Sequence, residues 1–167
     1  FYKLPRSERL IPFPIWYINR LEKMAEFTMR ITKPNWHITQ IGDNDSGRFL
    51  KLQPGLQSNG DGSDLDENYL DHRHLVAAMN GLFDREDFTA FSGQGWFEGE
   101  LVRSLAGNTH LPSYLLKTNK KREDKELKLY AFSGFGLYIY RSKHLYLAVR
   151  CGSIGQKGNG GHAHNDN

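Results

Sequence analysis

The residues with the clearest potential for chemistry lie in the run GGHAHNDN, residues 160–167. His162 and His164 are two positions apart, so both rings lie on one face if this run is a strand, and they are free to converge if it is a loop. Neutral imidazole binds metal ions and transfers protons near pH 7. Gly160 and Gly161, which precede His162, allow a bulky partner to approach the backbone. An ordinary polar loop has the same pattern, so the spacing alone leaves both interpretations open.

A second candidate site is the turn-forming run GDNDSGR, which contains Asp43, Asp45 and Arg48. The two aspartates resemble the start of a calcium loop, but the twelfth position is Pro54 instead of a bidentate glutamate, which rejects an EF-hand. One interpretation is a tight turn in which Arg48 pairs with an aspartate. The other is a sugar-acid site in which the guanidinium of Arg48 binds a carboxylate through two parallel hydrogen bonds.

The remaining histidines and the single cysteine carry weaker signals. His72 and His74 lie in the run DHRH on a predicted helix, where positions two apart diverge, so a joint metal site is not expected. One cysteine in the whole chain excludes an internal disulfide framework. Cys151 has no local motif around it and is predicted to lie in the core.

Composition limits the class of protein. The chain has 167 residues, of which 38% are hydrophobic and 25% charged, and this is the length of one ordinary domain. It contains no run of about 18 apolar residues, so no membrane span is expected. The net charge is only +3, and the basic run at residues 117–128 accounts for an excess of that size. Because no aromatic residues interleave with that run to stack on bases, no nucleic-acid partner is expected.

The elements that position these residues are predicted from periodicity. Residues 15–32 repeat apolar side chains at helical spacing, and so do residues 69–82, where Gly81 is placed to end the helix. Short helices are predicted from DREDF and over residues 98–105. Residues 53–68 are glycine-rich and acidic, which predicts a surface loop.

After residue 126 the sequence changes to alternating apolar and polar residues rich in tyrosine, phenylalanine and valine. This pattern predicts two or three antiparallel strands, with RSKH as a hairpin turn. Helices followed by strands indicate an α+β arrangement or the junction of two domains. Because so few strands make a poor sheet by themselves, we expect further strands to follow in a longer protein.

Four segments together resemble the heparinase II/III-like family of polysaccharide lyases. They are IGDNDSGR, DHRHLVAAMNGLF, FGLYIYR and LAVRCGSIGQKGNGGHAHNDN, and the resemblance spans roughly residues 15–167. It implies an α/α toroid followed by an antiparallel β-sandwich, with the substrate cleft between them. Residues 1–125 would then be the end of the toroid and residues 126–167 the start of the sandwich, both within a longer protein.

The resemblance also implies an activity, the cleavage of a uronic-acid-containing glycan by β-elimination. His162 matches a family histidine that assists catalysis, and His164 matches one that helps to bind a structural zinc in some members. The catalytic tyrosine and a toroid histidine are expected upstream of this chain, and the other zinc ligands downstream. Arg48, Asp43 and Asp45 are the expected substrate-binding residues. The chain alone is expected to bind zinc weakly and to cleave nothing.

These implications make an acidic polysaccharide the expected partner and the periplasm or the extracellular space the expected location. Two alternatives stay open. One is a non-catalytic carbohydrate-binding envelope protein on the same scaffold. The other is a metal-dependent hydrolase that uses His162, His164 and Asp166.

Overall fold

The protein has a mixed α+β fold, seen in a computed structural model that describes residues 13–41, 52, 56–58, 65–93, 95–107 and 126–152. These residues form four helices: α1 (Ile15–Ile31), α2 (Arg73–Phe83), α3 (Glu86–Ser92) and α4 (Phe97–Leu105). They also form a two-stranded sheet, β1 (Leu56–Ser58) and β2 (Leu65–Glu67), and a three-stranded sheet, β3 (Lys128–Phe132), β4 (Leu137–Arg141) and β5 (Tyr146–Arg150). The expected α+β class is therefore confirmed.

Helix α1 forms where the apolar periodicity predicts it, but only part of its apolar stripe is buried. Ala25 and Met29 pack with Val76 and Phe88 in one core cluster. Ile15, at the start of the stripe, is 67% exposed. The carboxyl-terminal half of α1 therefore supplies most of the contacts that hold it to the other helices.

Helix α2 packs closely against α4, and Gly81 is the reason that it can. The prediction that Gly81 ends the helix is wrong, because α2 continues to Phe83 and is followed by Asp84 in the left-handed conformation (φ 52°). A Cβ atom on Gly81 would lie 2.4 Å from the carbonyl oxygen of Gly99 in α4. The missing side chain thus permits backbone-to-backbone contact between the two helices.

A network of ion pairs joins α1 to the start of α3. The guanidinium of Arg85 donates to Glu22 and Glu26 at 2.7 Å each and to Asp87 at 2.7 and 3.0 Å. The hydrogen bond to Asp87 contributes most to raising the pKa of Arg85, opposed by partial burial. Burial raises the pKa of Glu26, but hydrogen bonds from Lys23 and Arg85 outweigh it and leave that pKa below its ordinary value.

The three-stranded sheet is antiparallel in the order β3-β4-β5. Its central strand contributes Leu137 and Ile139, both buried, to a second core cluster with Ile31 and Ile38 from the helical part. The predicted RSKH hairpin is confirmed, because the amide of Ser142 donates to the carbonyl oxygen of Leu145 at 2.8 Å in the turn between β4 and β5. The sheet and the end of α1 therefore share one hydrophobic core.

Polar side chains of the sheet also satisfy backbone groups at the end of α1. Arg141 Nη1 donates to the carbonyl oxygens of Met29 (3.2 Å) and Thr32 (2.6 Å). The hydroxyl of Tyr146 donates to the carbonyl oxygen of Ile31 at 3.1 Å. The last carbonyls of a helix have no intrahelical partner, so these bonds stabilise both the helix end and its contact with the sheet.

Two further predictions are corrected by the structure. The segment 53–68, predicted as a loop, contains β1 and β2, which pair with Leu56 opposite Glu67. Cys151, predicted to be in the core, is exposed just after β5. None of the helices in the described part of the chain combines the length and the apolar character needed to cross a membrane.

Candidate functional site

The residues predicted to form the site lie outside the described residues. This holds for the catalytic candidate, the metal-ligand candidate, the three substrate-binding candidates and the extra residue of the hydrolase alternative: His162, His164, Arg48, Asp43, Asp45 and Asp166. Their roles stay predictions. The segment with Asp43 and Arg48 lies between Ile41 and Leu52, and the amide of Leu52 donates to Glu98 Oε1 at 2.8 Å.

Among the described residues, one cluster of aromatic and charged side chains has the features of a ligand site. It consists of Trp36, Asp71, Arg73 and Trp96, and we call it the Trp–Arg cluster. Its members come from the turn after α1, the start of α2 and the residue before α4. Because they are distant in sequence, tertiary packing alone brings them together.

Trp36 is the last residue of a three-residue turn, 34–36, and its backbone is strained. The amide of Lys33 donates to the carbonyl of His37 at 2.8 Å, and the amide of Trp36 donates back to Lys33 at 3.0 Å. This geometry puts Trp36 at φ 69°, a left-handed conformation that glycine usually occupies in such turns. The cost for another residue is about 1–2 kcal/mol. The side chain nevertheless stays 41% exposed.

Backbone pairing brings this turn beside the start of α2. The amide of Ile38 donates to the carbonyl of Leu70 at 2.8 Å, and His37 forms an isolated antiparallel bridge with Asp71. Trp36 therefore lies next to the residues that begin α2.

Arg73, the first residue of α2, is held by Asp71 along one edge of its guanidinium. Nε donates to both carboxylate oxygens of Asp71 at 3.0 Å, and Nη2 donates to Oδ2 at 2.6 Å. The guanidinium carbon lies 4.6 Å from the ring centroid of Trp36 and 5.6 Å from that of Trp96. Within the described part of the chain, Nη1 donates to no partner. The Nη1 side of the fork therefore remains available for an anion.

The two tryptophans are themselves supported by their neighbours. The indole nitrogen of Trp96 donates to the carbonyl of Ser92 at the end of α3, at 2.7 Å. The ring of Trp36 meets Phe91 edge-on, with centroids 5.9 Å apart. These contacts fix both rings against the helical core.

Two buried histidines lie behind the cluster. His72 and His74 have ring centroids 6.1 Å apart, and the ring of His74 lies 6.2 Å from that of Trp96. The prediction that the two histidines diverge assumed that both are helical, whereas His72 precedes α2 with φ −101° and ψ 15°. In the described segments, no three His, Cys, Asp or Glu side chains form a group that could hold a metal ion.

A separate cavity of about 540 Å³ lies between α1, the stretch after it and α2. Its lining is mostly apolar, with Leu21, Ile31, Ile41 and Met79 among the contributors. Among the described residues that line it, none carries a permanent charge and His72 is the one titratable side chain, so the cavity suits an apolar ligand better than an anionic one. The Trp–Arg cluster is the better candidate for chemistry that involves charge.

The run DHRH suggests its histidines as candidates, and Arg73 is not among the residues predicted to form a site. Two signals were present in the sequence: a tryptophan directly after Pro-Asn in a turn, and an arginine two residues after an aspartate. Neither pattern predicts that the two side chains meet. Comparison of the chain with known protein families, with curated protein sequences and with solved structures finds no match.

Proposed function

We propose that this chain is part of a polysaccharide lyase that cleaves uronic-acid-containing glycans by β-elimination. The observation that carries the proposal is the position of the run GGHAHNDN, which follows a set of helices and then the third strand of an antiparallel sheet. A toroid followed by a sandwich requires that order of elements. The Trp–Arg cluster adds support, because it presents a guanidinium and aromatic rings together.

The reaction proposed for the complete protein has three steps. A base removes the proton at C5 of the uronic acid, the resulting charge moves onto the neighbouring carboxylate, and the C4–O bond breaks as the leaving oxygen takes up a proton. His162 is proposed to assist the proton transfers, since an imidazole can both take up and release a proton near pH 7. Arg48 is proposed to bind the carboxylate and to stabilise the enolate-like charge with its guanidinium. The catalytic tyrosine and a toroid histidine are proposed to lie upstream of this chain in the complete protein.

Zinc is proposed only as a structural ion. His164, which lies outside the described residues, is the proposed ligand. The proposed mechanism has no step that depends on the ion.

The test uses the complete protein that contains this chain. Incubation with heparan sulfate or alginate is expected to produce unsaturated uronate, measured as a rise in ultraviolet absorbance. His162→Ala is expected to lower the rate by about 100-fold or more, which is the usual contribution of a general acid or base. His144→Ala is the matched control, since His144 is exposed in the β4–β5 hairpin and is expected to leave the rate unchanged. Equal rates for the two variants would contradict the role of His162.

The second candidate is a carbohydrate-binding envelope protein without activity. The Trp–Arg cluster favours it, because stacking on tryptophan and pairing with arginine bind a sugar and need no chemistry. Glycan binding that survives His162→Ala in a protein with no turnover would support this candidate against the lyase. For either function, we propose a location in the periplasm or outside the cell, where polysaccharides are met.

A further inference from the structure

We infer that Trp36, Arg73 and Trp96 form a binding site for the carboxylate-bearing ring of a uronic acid. This site is separate from the residues proposed above for proton transfer and carboxylate binding. That the ligand is a glycan rests on the proposed function, whereas the need for an anion beside an aromatic surface follows from the geometry of the cluster.

The anion-binding part of the site is the guanidinium of Arg73. Its charge is permanent, and Asp71 occupies only the Nε and Nη2 edge. Asp71 also accepts from the backbone amide of Arg73 at 3.0 Å, which fixes the start of the side chain as well as its end. The guanidinium is therefore oriented before any ligand binds. Its outer Nη1 and Nη2 hydrogens can donate two parallel bonds to a planar carboxylate.

The aromatic part of the site is Trp36, which remains 41% exposed although it touches Arg73 and Phe91. The apolar face of a pyranose packs on such a ring, as other amphipathic groups do. Trp36 also occupies a backbone conformation that would suit glycine better. Strain of this kind persists where a side chain is needed at that place, which favours a binding role for the ring.

A uronic acid matches both parts at once. It has an apolar face for the indole ring and a carboxylate for the arginine, whereas a neutral sugar would leave the Nη1 donors of Arg73 without an anion. A sulphated sugar also carries an anion that a guanidinium can bind through two hydrogen bonds. A sulphate monoester is, however, a much weaker base than a carboxylate, so it accepts weaker hydrogen bonds. We therefore expect preference for carboxylated glycans over both neutral and sulphated ones.

The test measures binding in the complete protein with His162→Ala as the parent, so that no ligand is consumed. The ligands are alginate oligosaccharides, the same oligosaccharides with carboxyl groups reduced to alcohols, and dextran sulfate. Isothermal titration calorimetry is expected to show preference for the carboxylated form. Arg73→Lys keeps the positive charge but loses the planar pair of N–H donors, and it is expected to weaken binding about 10- to 100-fold. Trp36→Gly is expected to weaken it about tenfold or more.

The matched control is Arg30→Lys, the same substitution in an arginine that lies 4.1 Å from the ring centroid of Tyr130, between α1 and β3. It is expected to bind like the parent. Trp36→Gly is expected to fold, because glycine adopts the φ of 69° without strain. Circular dichroism and the thermal midpoint check folding of each variant.

Three results would overturn the inference: Arg73→Lys binding as tightly as Arg30→Lys, reduced oligosaccharides binding as tightly as carboxylated ones, or dextran sulfate binding tightest of the three. The outcome is distinguishable from that of the proposed function. Binding that depends on Arg73 in a protein with no turnover leaves the inference standing and removes the lyase. Turnover by the wild type, together with glycan binding that is unchanged by substitution of Trp36 and of Arg73, supports the lyase and overturns the inference.

Discussion

Replacing Gly81 with alanine tests the contact that sets the positions of α2 and α4. A Cβ atom at this position would lie 2.4 Å from the carbonyl oxygen of Gly99 and 2.7 Å from the amide nitrogen of Arg103. Both are backbone atoms of α4, so no side-chain rotation can relieve the contacts. The two helices would have to separate.

The size of the effect follows from two opposing contributions. Overpacking of a well-packed core costs about 1–3 kcal/mol, and contact with backbone places this substitution at the upper end. Alanine is favoured over glycine inside a helix by about 1 kcal/mol. The expected net loss is about 2 kcal/mol, which corresponds to roughly a 30-fold change in the local opening equilibrium.

Amide hydrogen exchange read by mass spectrometry suits this prediction, because it reports on α2 and α4 separately within a larger protein. Peptides from both helices are expected to exchange faster in Gly81→Ala. Gly134→Ala is the matched control, since a Cβ atom there meets nothing within 4 Å. Equal exchange in the two variants would refute the close packing of α2 on α4. Because α2 begins at Arg73 and Trp96 precedes α4, separation of the helices is also expected to weaken glycan binding.

Two further predictions concern buried polar groups. Burial raises the pKa of Tyr146 above its ordinary value of about 10. The folded state therefore favours the neutral phenol. This contribution to stability is fully present below about pH 10 and is lost as the pH rises through the pKa of the folded state. Tyr146→Phe removes both hydrogen bonds of the phenol, to the carbonyl oxygen of Ile31 and to the hydroxyl of Thr39, so we expect a loss of about 2 kcal/mol near neutral pH. Because phenylalanine cannot ionise, the thermal midpoint of the variant is expected to fall less than that of the wild type at alkaline pH. The buried amide of Asn80 donates to Thr89 at 2.7 Å and accepts from the backbone of Arg85 at 2.9 Å. Asn80→Ala is expected to cost about 2–3 kcal/mol in thermal denaturation, and a loss under 0.5 kcal/mol would contradict its role in joining α2 to α3.

Local sequence patterns predict most of the elements. The apolar periodicity of residues 15–32 predicts α1 to within one residue. The alternation after residue 126 predicts two or three antiparallel strands and their RSKH turn, and three strands form. These predictions succeed because periodicity of apolar side chains reflects which face of an element is buried. The hairpin within residues 53–68 was missed, since its glycines and acidic residues carry no apolar alternation.

Errors arise where the local sequence pattern does not decide the position of a residue in the fold. Gly81 looks like a helix terminator until α4 is placed against it. Cys151 looks like a core residue, but it follows the last described strand and is exposed. His72 looks helical by its spacing, yet its backbone lies outside α2. In each case the neighbouring residues in the sequence do not indicate where the residue lies in the folded chain.

The sequence by itself determined the α+β class, the order of helices before strands and the runs whose residue types allow chemistry. Only the tertiary structure decided that Trp36, Arg73 and Trp96 meet, because three separate elements contribute them. It also decided which edge of Arg73 is held by Asp71 and which remains available. The physical reason is that periodicity records burial along one element, whereas a binding site depends on how several elements pack together.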